Sequence, residues 1–300
     1  MKTRLLMIHA LSPIHCGTGQ AVGGIDLPIA REKPTGIPLI PGSTIKGVLR
    51  ASADSNDVLH RSAFGPPTNL ASEHAGGIQI SDANLVLLPV RSIRGTFAWV
   101  TSPYMLQRFA RDAREAGLAL QPLPAPPKEN EALVTGDVLE TNKKVIFEDF
   151  DFVARKDTDK HGKDLLKELA VQLAGWVFGK APEGERDRNH MVDRVCVVHD
   201  DVMSLLLQTC MEITTRIKLD EETKTVDGGA LWTEEALPVE SVLSGLVVAT
   251  PTSAKGAKPP EASTLLDYLE RQTAASAIQL GGKASVGRGL CRLQLIHGKG

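Results

Sequence analysis

Residues 15–50 read HCGTGQAVGGIDLPIAREKPTGIPLIPGSTIKGVLR, and this stretch carries most of the information about fold and function. Glycine and proline recur too often in it for a regular helix or a central strand, so we predict an irregular loop over 10–42. Gly42 and Ser43 then open a short helix, with Ser43 expected as its N-cap. The buried face of this helix is predicted to carry Ile45, Val48 and Leu49.

The charged side chains of this stretch indicate a polyanionic ligand. Asp26 is the only acid between His15 and Arg31, and the cations Lys46 and Arg50 follow. Backbone N–H groups and cations together suit the docking of a phosphate chain, and one embedded carboxylate suggests chemistry at a single point along it. The plainer alternatives are a turn-forming role for Asp26 and a spacer role for His15.

The composition excludes several classes of protein. The chain has 300 residues, 42% of them apolar, and a formal net charge of −2, which describes a globular protein rather than a uniformly basic one. No apolar run approaches the roughly 18–20 residues of a membrane span, and the short basic start does not resemble a signal peptide. We therefore expect a cytoplasmic protein without a membrane partner. The four cysteines show no zinc-type spacing and are predicted to be reduced.

Strand and helix patterns alternate along the rest of the chain, which predicts an α+β fold of ferredoxin-like type with large insertions. Pro89 is expected to place its strand at an edge or a bend, and Asp200 or Asp201 to cap a helix. Residues 118–165 are proline-rich and then charged, so we predict an insertion with parts that are mobile or ordered by a partner. The predicted strands are 2–9, 84–93, 192–199, 241–250 and 289–296, and the predicted helices after the first are 103–116, 163–178, 200–210 and 263–279.

Residues 211–237 are predicted to form a projecting hairpin. Apolar and polar residues alternate with a period of two from Met211, and the polar tip DEETKTVDGG ends in Asp-Gly-Gly. In the closing segment LWTEEALP, Trp232 is expected to anchor the base of the hairpin, while Glu234 and Glu235 are placed to reach a neighbouring site.

A second glycine-rich segment, QLGGKASVGRGL, covers 279–290. One interpretation is a loop that cradles phosphates with its backbone amides and two cations. The other is a glycine-capped helix that runs into a tight turn. The candidate RNA contacts of this loop are Gly281, Gly282, Lys283, Gly287 and Arg288.

Taken together, the segments HCGTGQ, GIDLPIAR, TGIPLIPGSTIKGVLR and GGKASVGRGL resemble the RAMP superfamily of CRISPR proteins. More narrowly, the chain is similar to the repeated backbone subunit of type III RNA-guided effector complexes, and LWTEEALP with the preceding hairpin favours the Cmr (III-B) branch over Csm. The resemblance covers essentially the whole chain and implies a single RAMP domain over 1–300.

The resemblance implies an RRM-like palm with a protruding thumb, here about 211–237, and copies that stack head-to-tail along a guide RNA. In that family a loop aspartate cuts the complementary target RNA at regular intervals, which carries over to Asp26, with His15 as the loop histidine. Lys46 and Arg50 match a basic helix face that contacts the guide backbone. The expected partners are therefore guide RNA, target RNA, further copies of the chain and other subunits of the complex.

This assignment makes the chain an RNA-guided, metal-dependent endoribonuclease. The 2′-OH of RNA would attack the neighbouring phosphate, and Asp26 would hold Mg²⁺ or another divalent cation or accept the proton. Ser43 and Arg31 are further candidate RNA contacts. Two alternatives stay open: a non-catalytic guide-binding scaffold, and a guide-processing nuclease of the same superfamily that acts as a free monomer.

Overall fold

The computed structural model describes residues 1–19, 25–67, 70, 74–219, 226–252, 258–274 and 276–298. Within these ranges the chain forms one 13-stranded mixed sheet and a separate two-stranded hairpin. None of the helices in these ranges is long and apolar enough to cross a membrane.

The strands and helices are numbered in chain order. The strands of the described residues are β1 Lys2–Ala10, β2 Leu39–Ile40, β3 Ile78–Ile80, β4 Ala83–Arg91, β5 Phe97–Thr101, β6 Glu131–Val134, β7 Glu140–Thr141, β8 Lys144–Phe147, β9 Phe150–Arg155, β10 Val195–Val198, β11 Glu212–Leu219, β12 Val226–Ala236, β13 Val242–Ala249, β14 Ile278–Gln279 and β15 Leu290–Ile296. The α-helices are α1 Gly42–Ser52, α2 His60–Phe64, α3 Pro103–Glu115, α4 Leu165–Phe178, α5 Glu185–Val192, α6 Asp200–Thr209 and α7 Ala262–Ala274.

A ferredoxin-like unit lies at the centre of the large sheet, as the sequence predicts. Its four strands stand in the order β15-β1-β13-β4, and all three neighbouring pairs are antiparallel. Helix α1 follows β1 in the chain, and α7 connects β13 to β15. This is the strand order 4-1-3-2 of two interlocked βαβ units, and it confirms the predicted fold class.

Both faces of this central unit are buried. Alternate residues of β1 belong to different cores: Leu6 and Ile8 pack with α1 and α7, whereas Leu5 and Met7 pack with α3 and α4. A strand that is covered on both sides needs a continuous apolar run, which explains LLMI in β1. The face that lies opposite α1 and α7 is therefore closed by α3 and α4.

The segment 118–165 extends the sheet instead of leaving it. Strand β6 pairs with β10, and β9, β8 and β7 follow outward in that order. Val145 and Phe147 of β8 lie in the main core, so this part of the segment is ordered within the chain, and mobile parts elsewhere in the segment stay a prediction. These strands were not predicted, because the proline-rich start of the segment indicated an irregular insertion.

Ser43 is not the N-cap of α1. Pro41 occupies that position and no side chain of the helix caps it. The amide of Gly42 is instead bonded to Oδ1 of Asp82, at 2.8 Å, from the turn between β3 and β4. A Cβ on Gly42 would lie 2.2 Å from the carbonyl oxygen of Ile80, so this close approach requires glycine.

The predicted aspartate cap of α6 is also wrong. His199 is the N-cap, and its Nδ1 accepts a hydrogen bond from the amide of Asp201 at 3.3 Å, while Asp200 is the first helical residue. The last helix ends at Ala274, five residues before the predicted end, since Ile278 already belongs to β14.

Pro89 lies in a strand that is interior to the sheet, but at a point where this strand is paired on one side only. It stands opposite Trp99 in the β4–β5 pair, and Trp99 directs its N–H to the carbonyl of Arg194. The pairing of β4 with β13 stops at Leu87. Because neither neighbour requires an N–H from residue 89, the sheet tolerates proline there.

Candidate functional site

Strands β11 and β12 form a hairpin with exposed apolar side chains on one face and paired charged side chains on the other. Register pairs run from Glu212 with Ala236 to Ile217 with Leu231, and the tip at 220–225 lies outside the described residues. Ile213, Ile217 and Leu231 share one face and each is about half exposed or more. The hairpin therefore presents an apolar strip on the face that also carries Thr233.

The glycine-rich loop pairs with the base of this hairpin. Leu27 forms a parallel bridge with Glu234, its N–H donates to the carbonyl of Thr233 at 3.1 Å, and its carbonyl accepts from Glu235 at 3.0 Å. Residues 20–24 of the loop lie outside the described residues. The segment after them is thus added to β12 like a short extra strand.

Asp26 is exposed and is held by one hairpin residue. Its Oδ2 accepts from the amide of Thr233 at 2.8 Å and from the Thr233 hydroxyl at 3.0 Å, and its own amide donates to that hydroxyl oxygen at 3.1 Å. Among the described residues no group donates to Oδ1 of Asp26. The hydrogen bonds from Thr233, the backbone one first, lower the pKa of Asp26. The carboxylate is therefore ionised at neutral pH and fixed in orientation, and its second oxygen accepts no hydrogen bond from another residue of the described ranges.

Glu235 fixes the rest of the loop from the same face of β12. Its buried carboxylate accepts from the amide of Ile29 at 2.9 Å and from the guanidinium of Arg31 at 2.5 Å. Arg31 also donates to the carbonyl of Gly36 at 2.9 Å. Arg31 thus lies in a loop-closing ion pair, only a quarter exposed.

His15 is buried beneath the loop. Its Nδ1 lies 2.7 Å from the carbonyl oxygen of Glu235, so Nδ1 carries a proton and donates it there. Gly17 packs against the ring, because a Cβ at that position would lie 2.8 Å from Nε2. Burial raises the pKa of the neighbouring Cys16 to about 11, which keeps it a thiol. The predicted catalytic histidine therefore contacts the hairpin backbone, and Asp26 contacts a different residue of the same strand.

Glu234 lies on the other face of β12 and is paired with basic side chains. Its Oε1 accepts from Trp232 Nε1 and from Lys283 Nζ, both at 2.8 Å, and Arg216 lies 3.4 Å from Oε2. Burial alone would raise the pKa of this carboxyl, but the hydrogen bonds from Lys283 and Trp232 and the two positive charges lower the pKa to about 2. Glu234 therefore locks the hairpin to the C-terminal loop.

The C-terminal glycine-rich loop packs directly against the first loop. The amide of Gly282 donates to the carbonyl of His15 at 2.8 Å, and a Cβ on Gly281 would lie 2.4 Å from the same oxygen. Gly281 and Gly287 both have positive φ. Arg288 is buried and donates to Glu212 at 2.6 Å and to the hydroxyl of Thr214 at 3.0 Å. These residues brace the loop and the hairpin, and their direct contact with RNA stays a prediction.

The outer face of α1 carries the remaining predicted RNA contacts. Ser43 is exposed, and Lys46 makes no ion pair with another described residue. Partial burial, and then the charge of Arg50, lower the pKa of Lys46. Arg50 donates to the carbonyl of Pro66 at 2.5 Å, which fixes its guanidinium against the following turn.

The chain matches the RAMP superfamily over residues 7–292. It belongs to the RAMP superfamily. It is 34% identical over 305 residues to the CRISPR system Cmr endoribonuclease Cmr4 of Pyrococcus furiosus, an alignment that covers 98% of this chain and 96% of that protein. The crystal structure of oligomeric Cmr4 from P. furiosus superposes with a TM-score of 0.75 at 27% identity and full coverage of both chains. A Type III-B Cmr-beta complex bound to cognate target RNA contains a chain of the same fold, with a TM-score of 0.71 at 19% identity, over 98% of this chain and 97% of that one.

The geometry of this RAMP protein limits how a metal ion can be held at Asp26. Within the described ranges the group of three close metal-ligand side chains is Glu129, His199 and Asp201, which does not include Asp26. The nearest hairpin carboxylates, Glu234 and Glu235, are already paired with cations. A divalent ion at Asp26 would therefore have a single carboxylate oxygen from this part of the chain, and Mg²⁺ accepts such a site because it keeps several waters and binds phosphate oxygens.

The sequence analysis missed Thr233, the residue that orients Asp26. The sequence does indicate which face of β12 Thr233 lies on. Side chains alternate along a strand, so in the segment TEE at 233–235 Thr233 and Glu235 lie on one face and Glu234 on the other. That alternation explains why Thr233 and Glu235 hold the loop of this RAMP protein while Glu234 holds its C-terminal segment.

Proposed function

We propose that this chain is the repeated backbone subunit of a type III-B CRISPR effector complex, which binds guide RNA and cuts the complementary target RNA. The 34% identity to a Cmr endoribonuclease over nearly the whole of both chains supports the activity. The observation that carries the chemistry is the exposed Asp26 carboxylate, which two hydrogen bonds from Thr233 hold by Oδ2 while no other described residue donates to Oδ1.

Asp26 is suited to orient the attacking group. RNA supplies its own nucleophile, the 2′-OH, so the protein needs to align it with the neighbouring phosphate and accept its proton. The lowered pKa of Asp26 keeps the carboxylate ionised but makes it a weak base. It therefore accepts a hydrogen bond from the 2′-OH and takes its proton late in the reaction, as the O2′–P bond forms and the P–O5′ bond breaks. The 5′-oxygen leaves with a proton from water.

Asp26 is the residue that would hold a divalent cation at this site. When bound, the cation would neutralise the charge that develops on the phosphate. Asp26 contributes one carboxylate oxygen, and the fixed orientation from Thr233 sets the direction in which that oxygen points.

The apolar strip of the hairpin would supply the geometry of the cut. Ile217 and Leu231 pair with each other and are exposed on the face that carries Thr233. A paired A-form strand does not readily align its 2′-OH for attack, whereas a base displaced onto an apolar surface frees its nucleotide to rotate. The hairpin thus defines the nucleotide next to Asp26, and stacked copies along a guide would repeat the cut at a fixed interval in a cytoplasmic complex.

The decisive experiment is cleavage of guide-complementary RNA by the reconstituted complex that contains Asp26→Asn, with Mg²⁺ or with EDTA. We expect regularly spaced products from the wild type, and a loss of about 10²- to 10⁴-fold in rate in the variant with assembly and guide binding retained. Asp54→Asn, which changes an exposed carboxylate beyond α1, is the matched control and should cut normally.

The main alternative is a guide-binding scaffold, in which Asp26 only terminates the loop at Thr233. Unchanged cutting by Asp26→Asn would remove Asp26 from the chemistry, and an inactive wild type would favour the scaffold. Loss of guide binding in Asp26→Asn would show that its role is structural.

A further inference from the structure

A cavity of about 430 Å³ lies beside the end of β1, on the face of the sheet that α4 and α5 cover. His9 of β1, which directly precedes the loop predicted over 10–42, lines it together with Phe97 of β5 and Phe178 of α4. Residues of α5 complete the lining. Its volume is within the range of small-ligand sites, and none of the groups assigned to RNA cleavage above lines it.

Aromatic rings line two sides of this cavity. Phe97, Trp99 and His190 form a cluster with ring centroids 4.6 to 5.9 Å apart. Phe178 meets His9 edge-on, with centroids 5.1 Å apart. Burial lowers the pKa of His190, so its ring is neutral at pH 7 and can stack or donate a hydrogen bond. Such walls suit a flat, aromatic ligand group.

Two unpaired arginines line the same cavity. Arg186 and Arg292 are exposed, and neither makes an ion pair or a hydrogen bond with a side chain of the described residues. Guanidinium groups recognise phosphate with two parallel hydrogen bonds. Asp187 also lines the cavity, and its carboxylate would accept hydrogen bonds from hydroxyl or amino groups.

Glu240 is held in the cavity wall in an unusual conformation. Its backbone φ is +72°, a value that residues other than glycine rarely adopt. Its amide donates to the carbonyl of Ala10, its carbonyl accepts from Trp99 Nε1 at 2.8 Å, and its Oε2 lies 2.8 Å from His9 Nε2. Nδ1 of the buried His9 has no partner among the described residues. Backbone strain that is held in place by several contacts is typical of binding sites.

From this arrangement we propose that the cavity binds one nucleotide, with its base against the aromatic walls and its phosphate on Arg186 and Arg292. A plain inorganic anion would leave the aromatic walls unused and would be repelled by Asp187. An apolar molecule would leave both arginines without partners. A nucleotide suits the aromatic walls, the two arginines and the carboxylates together. Its base packs on the walls, its phosphate pairs with the arginines, and its ribose hydroxyls and base amino group are donors for Asp187 and Glu240.

Free nucleotide and an unpaired nucleotide of an RNA strand share this chemistry, so the test has two arms. In the first, the full chain is titrated with AMP and with UMP, followed by tryptophan fluorescence and by equilibrium dialysis of radiolabelled AMP. In the second, the complex assembled on guide RNA is irradiated with ultraviolet light, and cross-linked peptides are mapped.

We expect saturable nucleotide binding in the first arm, or a cross-link within 97–101 or 185–192 in the second. The double variant Arg186→Ala/Arg292→Ala should weaken the binding, or reduce the cross-link yield, by tenfold or more. Arg111→Ala, an exposed arginine of α3, should bind as the wild type does. Arg292→Lys, which keeps the charge, should lose less than Arg292→Ala and so excludes a folding defect.

Binding of AMP or UMP in the first arm identifies a free nucleotide as the ligand. Cross-links in the second arm without binding in the first identify a nucleotide of the RNA strand as the ligand. Absence of binding and of these cross-links, or binding that the double variant leaves intact, overturns the proposal. Asp26→Asn should not change either arm, so this cavity and the proposed cleavage site fail or succeed independently.

Discussion

At the scale of single residues, the candidate site depends on how one carboxylate is oriented. Thr233 donates two hydrogen bonds to one oxygen of Asp26, and no other residue of the described ranges donates to the second oxygen. An exposed aspartate in a glycine-rich loop would otherwise sample several rotamers, and each would point the carboxylate in a different direction. We therefore expect Thr233 to be a positioning residue, whose effect on RNA cleavage is exerted through Asp26.

We expect Thr233→Val to reduce target cleavage by about tenfold, because it removes the hydroxyl but keeps the shape and the backbone N–H. The hydrogen bonds from Thr233 lower the pKa of Asp26, so removal of one raises that pKa toward its ordinary value. If the ionised form is the active one, the acidic limb of the pH–rate profile should shift to higher pH. The profile is measured for target cleavage by the assembled complex.

Thr233→Ser is the matched control, since serine keeps the hydroxyl and should retain both rate and pH profile. A valine variant that loses rate at all pH values equally would show that Thr233 supports the hairpin alone.

At the scale of elements, the site is a contact between two loops and one hairpin. Strand β12 holds the first loop with Thr233 and Glu235 on one face and the C-terminal loop with Glu234 on the other. The carboxylate of Glu234 is only 4% exposed, and it is compensated by Lys283 and Arg216. A buried carboxylate with these partners stabilises the fold only while it is ionised.

Acid should therefore loosen the base of the hairpin. The pKa of Glu234 is about 2 in the folded protein and near its ordinary value of 4.5 in the unfolded chain. The stabilisation from Glu234 is therefore complete above about pH 5 and is lost as pH falls toward 2. Trp232 donates to Glu234 and reports the change through its fluorescence. In Glu234→Gln we expect the stability measured by urea unfolding to depend less on pH between 5 and 3 than in the wild type.

Glu183→Gln is the comparison for that measurement, because Glu183 is an exposed carboxylate that makes no ion pair with another described residue. Its pH dependence should match the wild type. An equal loss of pH dependence in both variants would argue against a special role of Glu234.

The elements that sequence patterns could predict are those with local signals. Helix α3 has its cap at Ser102, a proline at the first turn and Gly117 after its end, as expected from the sequence. Strands β6 to β9 had no such signal, because their order depends on pairing with β10. The contact of Asp26 with Thr233 joins residues 207 positions apart, and no local pattern specifies it. The aspartate could thus be chosen from composition, but its partner could not.

At the scale of the whole molecule, the fold decides where RNA can lie. An RRM usually stacks bases on the open face of its sheet. Here α3 and α4 pack on that face, with Leu106, Phe109 and Leu173 buried between helices and sheet. The remaining basic surface of the candidate site is the outer face of α1, beside the first loop. We therefore expect the RNA backbone to follow α1 and the loop.

Lys46→Gln should weaken guide-RNA binding and make it less dependent on salt. Each phosphate contact to a single strand contributes about 0.7 to the slope of log K against log salt concentration, so the slope should fall by roughly that amount. Filter binding of the guide at several salt concentrations measures it.

Lys167→Gln is the matched control, as an exposed lysine on α4 at the opposite face of the sheet. Equal slopes for Lys46→Gln and the wild type would exclude α1 from the RNA path.

The pairing of Asp26 with a residue 207 positions later has a consequence for the newborn chain. At about 5–20 residues per second, the ribosome needs roughly 10–40 s after making Asp26 to deliver its partner strand. Throughout that time the carboxylate has no fixed orientation, and the bracing amide of Gly282 arrives later still. With the role proposed for Asp26, a partly synthesised chain would therefore be inert toward the messenger that encodes it, and competence to cut would be acquired only near the end of translation.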